Sequence, residues 1–144
     1  MAAKGFGTIV ITSQLNYIRS KKLGFDKTDV ISVWMRDMDK HYDAVKAELL
    51  KSPGVLDVTR SNQNIVRFQG FTGSVDWDGK DPKDNVIMHP IVVDKNLISF
   101  FKMKLVSGSS FTGAVNDTAH FILNEAAIKQ MGIKDPVGKR FTMQ

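Results

Sequence analysis

The chain has 144 residues, no cysteine and a formal net charge of +5, and 42% of its residues are hydrophobic. This length and composition fit one folded domain and are unlike those of a disordered chain. Because there is no cysteine, thiol catalysis, disulfide bonds and cysteine-ligated zinc or iron–sulfur sites are excluded.

The positive charge is divided between the two ends of the chain. Residues 1–29 carry five Lys/Arg against two acids, residues 30–84 carry eight against nine, and residues 85–144 carry seven against four. A nucleic-acid-binding protein usually clusters its basic residues on one face, with stacking aromatic side chains between them. The diffuse distribution therefore predicts no nucleic-acid partner.

Residues 8–20 are predicted to form a helix with one apolar side, because Ile11, Leu15 and Ile18 recur at helical spacing. Cations follow it up to Lys22, which suits a helix that leaves a membrane and equally an ordinary surface helix. No secretory signal and no apolar run of the roughly 20 residues that cross a bilayer is visible. We interpret residues 1–22 as a stalk that follows a transmembrane segment, with residues 1–4 as a leader in front of a natural fragment.

Residues 30–60 are predicted to form a β-α-β unit. Residues 30–34 are a run rich in β-branched side chains, which favours a strand. A helix with one apolar face is predicted from about residue 39 to residue 51, and Pro53 with the following glycine ends it. Residues 55–59 are the second predicted strand.

The middle of the chain is predicted to be a hairpin or meander with short strands at residues 65–69 and 74–77. Residues 85–94 form a longer apolar run that predicts another strand. Pro90 lies within this run, which indicates a position at the edge of a sheet or at a bulge.

A short helix is predicted over residues 97–103, with Asp94 or Asn96 as its N-cap. Phe100 and Phe101 lie in this helix and could line an apolar groove for a lipophilic ligand. Anchoring of the helix to a sheet is the more common role of such residues, so core packing is the favoured interpretation.

The C-terminal part is predicted to contain a strand at residues 119–123, then a helix at residues 125–131 that Asn124 caps. A turn at residues 135–138 and the start of a further strand at residues 141–143 follow.

Gly138 and Lys139 invite comparison with a phosphate-binding loop. Five residues separate Gly132 from Gly138 where that loop has four, and Arg140 stands at the Ser/Thr position that would hold magnesium. The segment also follows a helix instead of a strand. Lys139 and Arg140 are therefore interpreted as parts of a solvated turn.

Residues 76–84 contain four aspartates, which could hold calcium. The glycine is misplaced for an EF-hand loop, Lys80 stands where a ligand should be, and no glutamate closes the site. The four aspartates are interpreted as ordinary surface carboxylates.

The three histidines, His41, His89 and His120, show none of the paired spacings typical of zinc ligands. No Gly-x-Ser-x-Gly sequence presents a serine nucleophile, and the serine-rich residues 107–110 resemble a loop. The sequence therefore predicts no catalytic, cofactor-binding or metal-ligating residue, and a protein that is not an enzyme.

Five stretches, in this order, resemble the extracytoplasmic domain of MacB/FtsX-type permeases, the membrane subunits of a class of bacterial ABC transporters. They are QLNYIR with LGFD (residues 14–26), ELL with PGV (48–55), FFKMKLVSG with Phe111 (100–111), NEAA (124–127) and DPVGKRF (135–141). The resemblance covers residues 14–141, and the last two stretches are its most specific part.

This resemblance implies an α+β domain, in which a mixed sheet contains a β-α-β porter-like part beside a smaller β-rich lobe. Residues 23–144 would be the periplasmic core domain, facing the periplasm from the bacterial inner membrane. Its implied partners are a cytoplasmic ATP-binding subunit or domain, a second permease in a homodimer or heterodimer, and a periplasmic protein or lipophilic cargo. ATP hydrolysis outside this chain would move the domain, in efflux, lipoprotein release or signalling.

Two departures from the family pattern accompany the resemblance. Ser109 stands where many members carry a charged residue, and Gln144 precedes the strand that normally follows, which would leave a sheet edge open for dimer contacts. A free-standing periplasmic ligand-binding module with an apolar groove near Phe100 and Phe101 is the first alternative. A small hydrolase or nucleotide enzyme is the second, and it requires a cluster of polar groups in one pocket.

Overall fold

The computed structural model describes residues 13–14 and 24–143 of the chain. Within these residues the protein is a small mixed α/β domain with three short α-helices and a two-stranded antiparallel sheet. The helices are α1 (Tyr42–Leu49), α2 (Leu97–Phe100) and α3 (Glu125–Met131), the 3-10 helices are η1 (Arg36–His41) and η2 (Val115–Ala119), and the strands are β1 (Val75–Trp77) and β2 (Phe141–Met143).

Helix α1 confirms the helix predicted near residues 39–51, although its first turns are the 3-10 helix η1. Tyr42 is buried and Lys46 half-buried one turn later, so both lie on the inward side of the helix. A further turn, in which the Val55 amide donates to the Ser52 carbonyl, reverses the chain after the helix.

The sheet joins two segments that lie 64 residues apart in the sequence. β1 pairs with β2 in a register that places Val75 opposite Met143 and Trp77 opposite Phe141. Val75 and Trp77 are buried, whereas the side chain between them is exposed, as the two-residue period of a strand requires. This arrangement confirms the strands predicted at residues 74–77 and 141–143.

The hydrophobic core of the C-terminal half lies against this sheet. Val75, Trp77, Val86 and Met131 are its buried members. The partly buried side chains packed on them are Met88, Leu123, Ala127, Ile128, Ile133, Phe141 and Met143. Helix α3 therefore covers one face of β1 and β2.

Helix α3 has the bounds that the sequence predicts, because both of its ends carry strong local signals. The Asn124 side chain accepts a hydrogen bond from the Ala127 amide at 2.8 Å, which satisfies one of the free amides of the first turn. Gly132 ends the helix in the left-handed conformation, with φ +67°. The predicted turn follows, closed by a hydrogen bond from the Lys139 amide to the Pro136 carbonyl.

Four predicted strands do not form in the described part of the chain: residues 30–34, 55–59, 65–69 and 119–123. The β-α-β prediction is therefore wrong for residues 30–60 as the structure describes them. A strand needs a neighbour that accepts and donates its backbone hydrogen bonds, and local β propensity supplies none. Residues 30–35 contain no helix, turn or bend, and they form no β-ladder with the other described residues.

The predicted strand at residues 85–94 is reduced to two isolated bridges. Met88 pairs with Thr72, and Val93 pairs with Ser61, both in antiparallel orientation. Pro90 lies between these bridges, in agreement with its predicted role at a sheet edge or bulge, because it has no amide to donate to a ladder.

Helix α2 begins where predicted but ends at Phe100, three residues early. Neither predicted N-cap side chain caps it: the Asp94 carboxylate accepts from Tyr42, Lys46 and the Lys95 amide, and the Asn96 side-chain nitrogen donates to Asp57 and to the Val58 carbonyl. The predicted stalk, residues 1–22, lies outside the described residues except for Ser13 and Gln14, which are helical and exposed.

Candidate functional site

The three histidines take different positions in the fold. His89 donates a 2.7 Å hydrogen bond from Nδ1 to the Gly70 carbonyl, and its ring contacts those of Phe68 and Phe71. His120 is exposed, 3.8 Å from Asp117, and His41 is exposed before α1. In the part of the chain that the structure describes, no three His, Asp or Glu side chains are grouped as a metal site.

The four aspartates of residues 76–84 are engaged in structural contacts. Arg140 donates to Asp76 Oδ2 at 2.8 Å from Nη2 and to Asp78 Oδ1 at 3.1 Å from Nε. These contacts raise the pKa of Arg140 and lower that of Asp76. Asp81 and Asp84 bind backbone amides of their own loop. Lys139 and Arg140 are exposed beside the turn, as predicted, and the Arg140 side chain also joins β1 to the start of β2.

An open depression of about 330 Å³ lies beside the contact between Arg140 and Asp78, at the C-terminal end of α3. Its lining includes Trp77, Asp78, Gly132, Asp135 and Lys139. Its lining carries two carboxylates, Asp78 and Asp135, and two lysines, Lys134 and Lys139, so its formal charge is balanced. The adjoining helix end is the negative one, whereas a phosphate loop places its anion at the positive, N-terminal end of a helix.

Phe101 is part of the packed interior rather than the wall of a groove. It is only 6% exposed, and its ring meets those of Phe25 and Phe100 edge-to-face at 5.7 and 4.8 Å between centroids. The Asp26 amide donates to its carbonyl at 2.9 Å, which ties the segment before η1 to α2. Core packing of Phe101, the favoured sequence interpretation, is confirmed; Phe100 is half-buried.

A polar cluster that sequence reasoning missed joins α1 to the segment before α2. The Tyr42 hydroxyl donates to Asp94 Oδ2 at 2.6 Å, and Lys46 Nζ donates to the same oxygen at 3.1 Å. The Arg60 guanidinium lies over the Tyr42 ring, 4.4 Å from its centroid. We refer to Tyr42, Lys46, Arg60 and Asp94 as the Asp94 cluster.

The electrostatics of the Asp94 cluster favour a fixed carboxylate. Burial raises the pKa of Asp94, but the hydrogen bonds from Tyr42 and Lys46 outweigh it and hold the pKa below its usual value. Burial and the same hydrogen bond raise the pKa of Tyr42. Tyr42 and Lys46 are one helical turn apart, which the sequence shows, but their acceptor lies 48 residues further on and gives no local signal.

Two exposed apolar surfaces stand out on the rest of the described chain. One surrounds His89 and consists of Phe68, Phe71 and Ile87, each at least half exposed. The other is the run at residues 30–35, where Ile31, Val33 and Trp34 are 88%, 71% and 77% exposed. Large apolar patches of this kind are typical of surfaces that contact other molecules.

No protein-family model matches the chain, and no curated protein or solved structure is significantly similar to it. None of the helices among the described residues is long and apolar enough to cross a membrane. Within those residues, the Asp94 cluster, the aspartates of residues 76–84 and Arg140 make structural contacts, and the two apolar surfaces are exposed.

Proposed function

We propose that this chain is the extracytoplasmic core domain of a MacB/FtsX-type permease in a bacterial ABC transporter. In this role the domain carries out no chemistry of its own. ATP hydrolysis by a cytoplasmic subunit moves the domain through membrane helices, and the domain acts on cargo or partner proteins in the periplasm.

The observation that carries this proposal is the position of the most specific part of the resemblance. Residues 124–141 build a scaffold: Asn124 caps α3, Met131 enters the core, and Arg140 bridges Asp76 and Asp78. Since each of these residues has a packing or capping role, the pattern fits a signature that fixes a fold. An enzyme signature would place its polar residues around a shared pocket.

The exposed apolar surfaces support the same proposal. A domain that transmits movement must hold other polypeptides, and apolar patches supply the area for such contacts. The finer fold that the resemblance implies, a porter-like part beside a β-rich lobe, belongs to this proposal, but residues 30–34 and 55–59 form no strand in the structure.

Cysteine labelling in intact bacterial cells tests the location of the domain. The 144 residues contain no cysteine, so Ser107→Cys, made in the full gene product with every cysteine outside these residues replaced by serine, offers one thiol at an exposed position. A maleimide that cannot cross the inner membrane should label it before the cells are lysed. The matched control is Val75→Cys, at a position only 2% exposed, which should stay unlabelled until the protein is denatured.

The labelling experiment also has an outcome that would contradict the proposal. Labelling of the Ser107→Cys variant only after lysis would place the domain in the cytoplasm and overturn the proposal. Pull-down of the full gene product from solubilised membranes should also retain an ATP-binding subunit, or show ATPase activity if that domain is fused. A periplasmic protein without either would instead be the free-standing binding module.

A further inference from the structure

Two neighbouring segments of the chain present one exposed, apolar face. The Thr72 amide donates to the Met88 carbonyl at 2.8 Å, and the Met88 amide donates back to the Thr72 carbonyl at 2.9 Å. Side chains alternate between the two faces of paired segments, so Met88 packs on the core while Phe71 and His89 lie together on the opposite face. We refer to Phe68, Phe71, Ile87 and His89 as the Phe71 surface.

The apolar side chains of the Phe71 surface are half exposed or more. Phe68, Phe71 and Ile87 are 50%, 72% and 54% exposed. Both phenylalanine rings contact the His89 ring, at 5.9 and 6.5 Å between centroids, so they form one contiguous patch. At about 200 Å² for each aromatic side chain, the two phenylalanines alone offer roughly 240 Å² of apolar area.

The tip that carries the two phenylalanines is held in place by side-chain hydrogen bonds. Gln63 accepts from the Gln69 amide at 2.7 Å and donates to the Pro90 carbonyl at 2.6 Å. His89 donates from Nδ1 to the Gly70 carbonyl at 2.7 Å. The rings are therefore presented by an ordered turn, and binding through them costs little conformational entropy.

The charged side chains of the two segments are basic. Residues 60–73 and 85–93 contain Arg60, Arg67 and His89 and no carboxylate. Arg60 belongs to the Asp94 cluster, whereas Arg67 is exposed, directly precedes the first phenylalanine and forms no ion pair with the other described residues. The whole chain also carries a net charge of +5. This face therefore complements a partner that is apolar and carries negative charge at its surface.

We propose that the Phe71 surface binds a bilayer that contains anionic phospholipids. Phe68 and Phe71 enter the boundary between the headgroups and the acyl chains, and Arg67 contacts lipid phosphate groups. The strength of such binding depends on the apolar area that is buried and on attraction to anionic headgroups, and this face supplies both. The inference goes beyond the permease role and does not depend on it.

Two observations favour a bilayer over the surface of another protein. The exposed area of the two rings, roughly 240 Å², is well below the 800 Å² or so that each partner buries in a stable protein interface. A second copy placed on this face around a twofold axis would also set two positive faces against each other. A bilayer needs no matching shape and accepts each projecting side chain separately.

Flotation of the 144-residue chain with lipid vesicles tests the proposal. We expect binding to phosphatidylcholine vesicles that contain about one third phosphatidylglycerol, and at least about fivefold weaker binding to phosphatidylcholine alone. Arg67→Gln should weaken binding to the anionic vesicles about fivefold and leave binding to phosphatidylcholine unchanged. Added salt should also weaken binding to the anionic vesicles, because it screens the attraction.

Phe71→Ser removes the most exposed ring and should weaken binding to both kinds of vesicle at least about tenfold. Val137→Ser is the matched control. Val137 is 61% exposed and lies in the turn after α3, which packs on the core that the Phe71 surface faces away from. This variant should bind like the wild type. Circular dichroism shows whether each variant folds.

A fluorophore placed on the surface gives an independent measurement. The 144 residues contain no cysteine, so Ile87→Cys can carry a single environment-sensitive dye. Its emission should shift to shorter wavelength when anionic vesicles are added, because the dye enters a less polar environment. The same dye on Val137→Cys should show no shift.

Each result supports or overturns the proposal. A wild-type chain that floats with neither kind of vesicle overturns it and leaves the surface to an acidic protein partner, and binding that Phe71→Ser leaves unchanged overturns it as well. Self-association without vesicles that Phe71→Ser abolishes would assign the surface to a second copy. A loss of stability in Phe71→Ser as large as that expected for a buried phenylalanine would show that the chain itself covers the surface, and would also overturn the proposal.

Discussion

Asp94 is the residue on which the contact between α1 and the C-terminal half depends most. Its carboxylate receives hydrogen bonds from two side chains of α1, and its own amide donates to the Arg60 carbonyl at 2.8 Å. A partly buried carboxylate without donors is costly, since its ionised form loses solvation. We therefore expect the donors to Asp94 to matter far more than similar ion pairs on the surface.

Lys46→Met tests this expectation against a control on the neighbouring turn. The Lys46 and Asp94 side chains are 23% and 18% exposed, and the variant leaves the carboxylate with one side-chain donor fewer. We expect the free energy of unfolding to fall by roughly 1–2 kcal/mol in urea denaturation. Lys51→Met removes an exposed ion pair with Glu48 that is shorter, 2.6 Å against 3.1 Å, and should cause no measurable change. Equal effects of the two substitutions would contradict a special role of Asp94.

The lowered pKa of Asp94 also predicts how stability depends on pH. The ionised carboxylate contributes stability that is fully present above its ordinary pKa of 3.8 and is lost as the pH falls through the lower folded pKa. Asp94→Asn cannot ionise and lacks this contribution. The difference in unfolding free energy between wild type and Asp94→Asn should therefore be constant from pH 5 to 7 and should shrink below pH 4. A difference that grows on acidification would show that the carboxylate is not held in its ionised form.

At the scale of elements, helix α3 shows which parts of the fold are predictable from sequence. Asn124 and Gly132 fix its ends through contacts within four residues, so its bounds could be predicted to the residue. The strands differ, because their hydrogen bonds join distant segments. β1 and β2 form because they pair with each other, whereas residues 30–34, which are also rich in β-branched side chains, pair with none of the other residues that the structure describes. The Asp94 cluster escaped prediction for the same reason, since Asp94 lies 52 and 48 residues from its donors Tyr42 and Lys46.

The cap of α3 gives a prediction at this scale. Asn124→Ala removes the acceptor of the Ala127 amide and should lower the free energy of unfolding by about 0.5–2 kcal/mol. Asn124→Asp keeps an acceptor at the same place and should cost little. Urea denaturation followed by circular dichroism measures both. If the two substitutions destabilise the protein equally, the side-chain hydrogen bond is not the cause of the effect.

At the scale of the whole molecule, few hydrophobic residues are buried and the accessible surface area is large. The buried hydrophobic residues fall in separate places: the sheet with α3, Tyr42 on α1, and Leu97 with Phe101 at α2. The chain exposes 12,090 Å², well above the value of about 7,400 Å² for a compact protein of 16.1 kDa. The excess includes apolar side chains that a second molecule can cover.

This excess surface predicts an unusually shallow dependence of stability on urea. The slope of unfolding free energy against urea concentration scales with the surface that unfolding exposes. From the surface areas above, the chain should expose only about 70% of the area that a compact protein of its size exposes. The slope of unfolding free energy against urea concentration should be reduced in the same proportion. The wild-type chain is measured below 10 µM, so that self-association makes no contribution. A slope equal to that of a compact 144-residue protein would show that the apolar surfaces fold onto the chain itself in solution, leaving none for a partner.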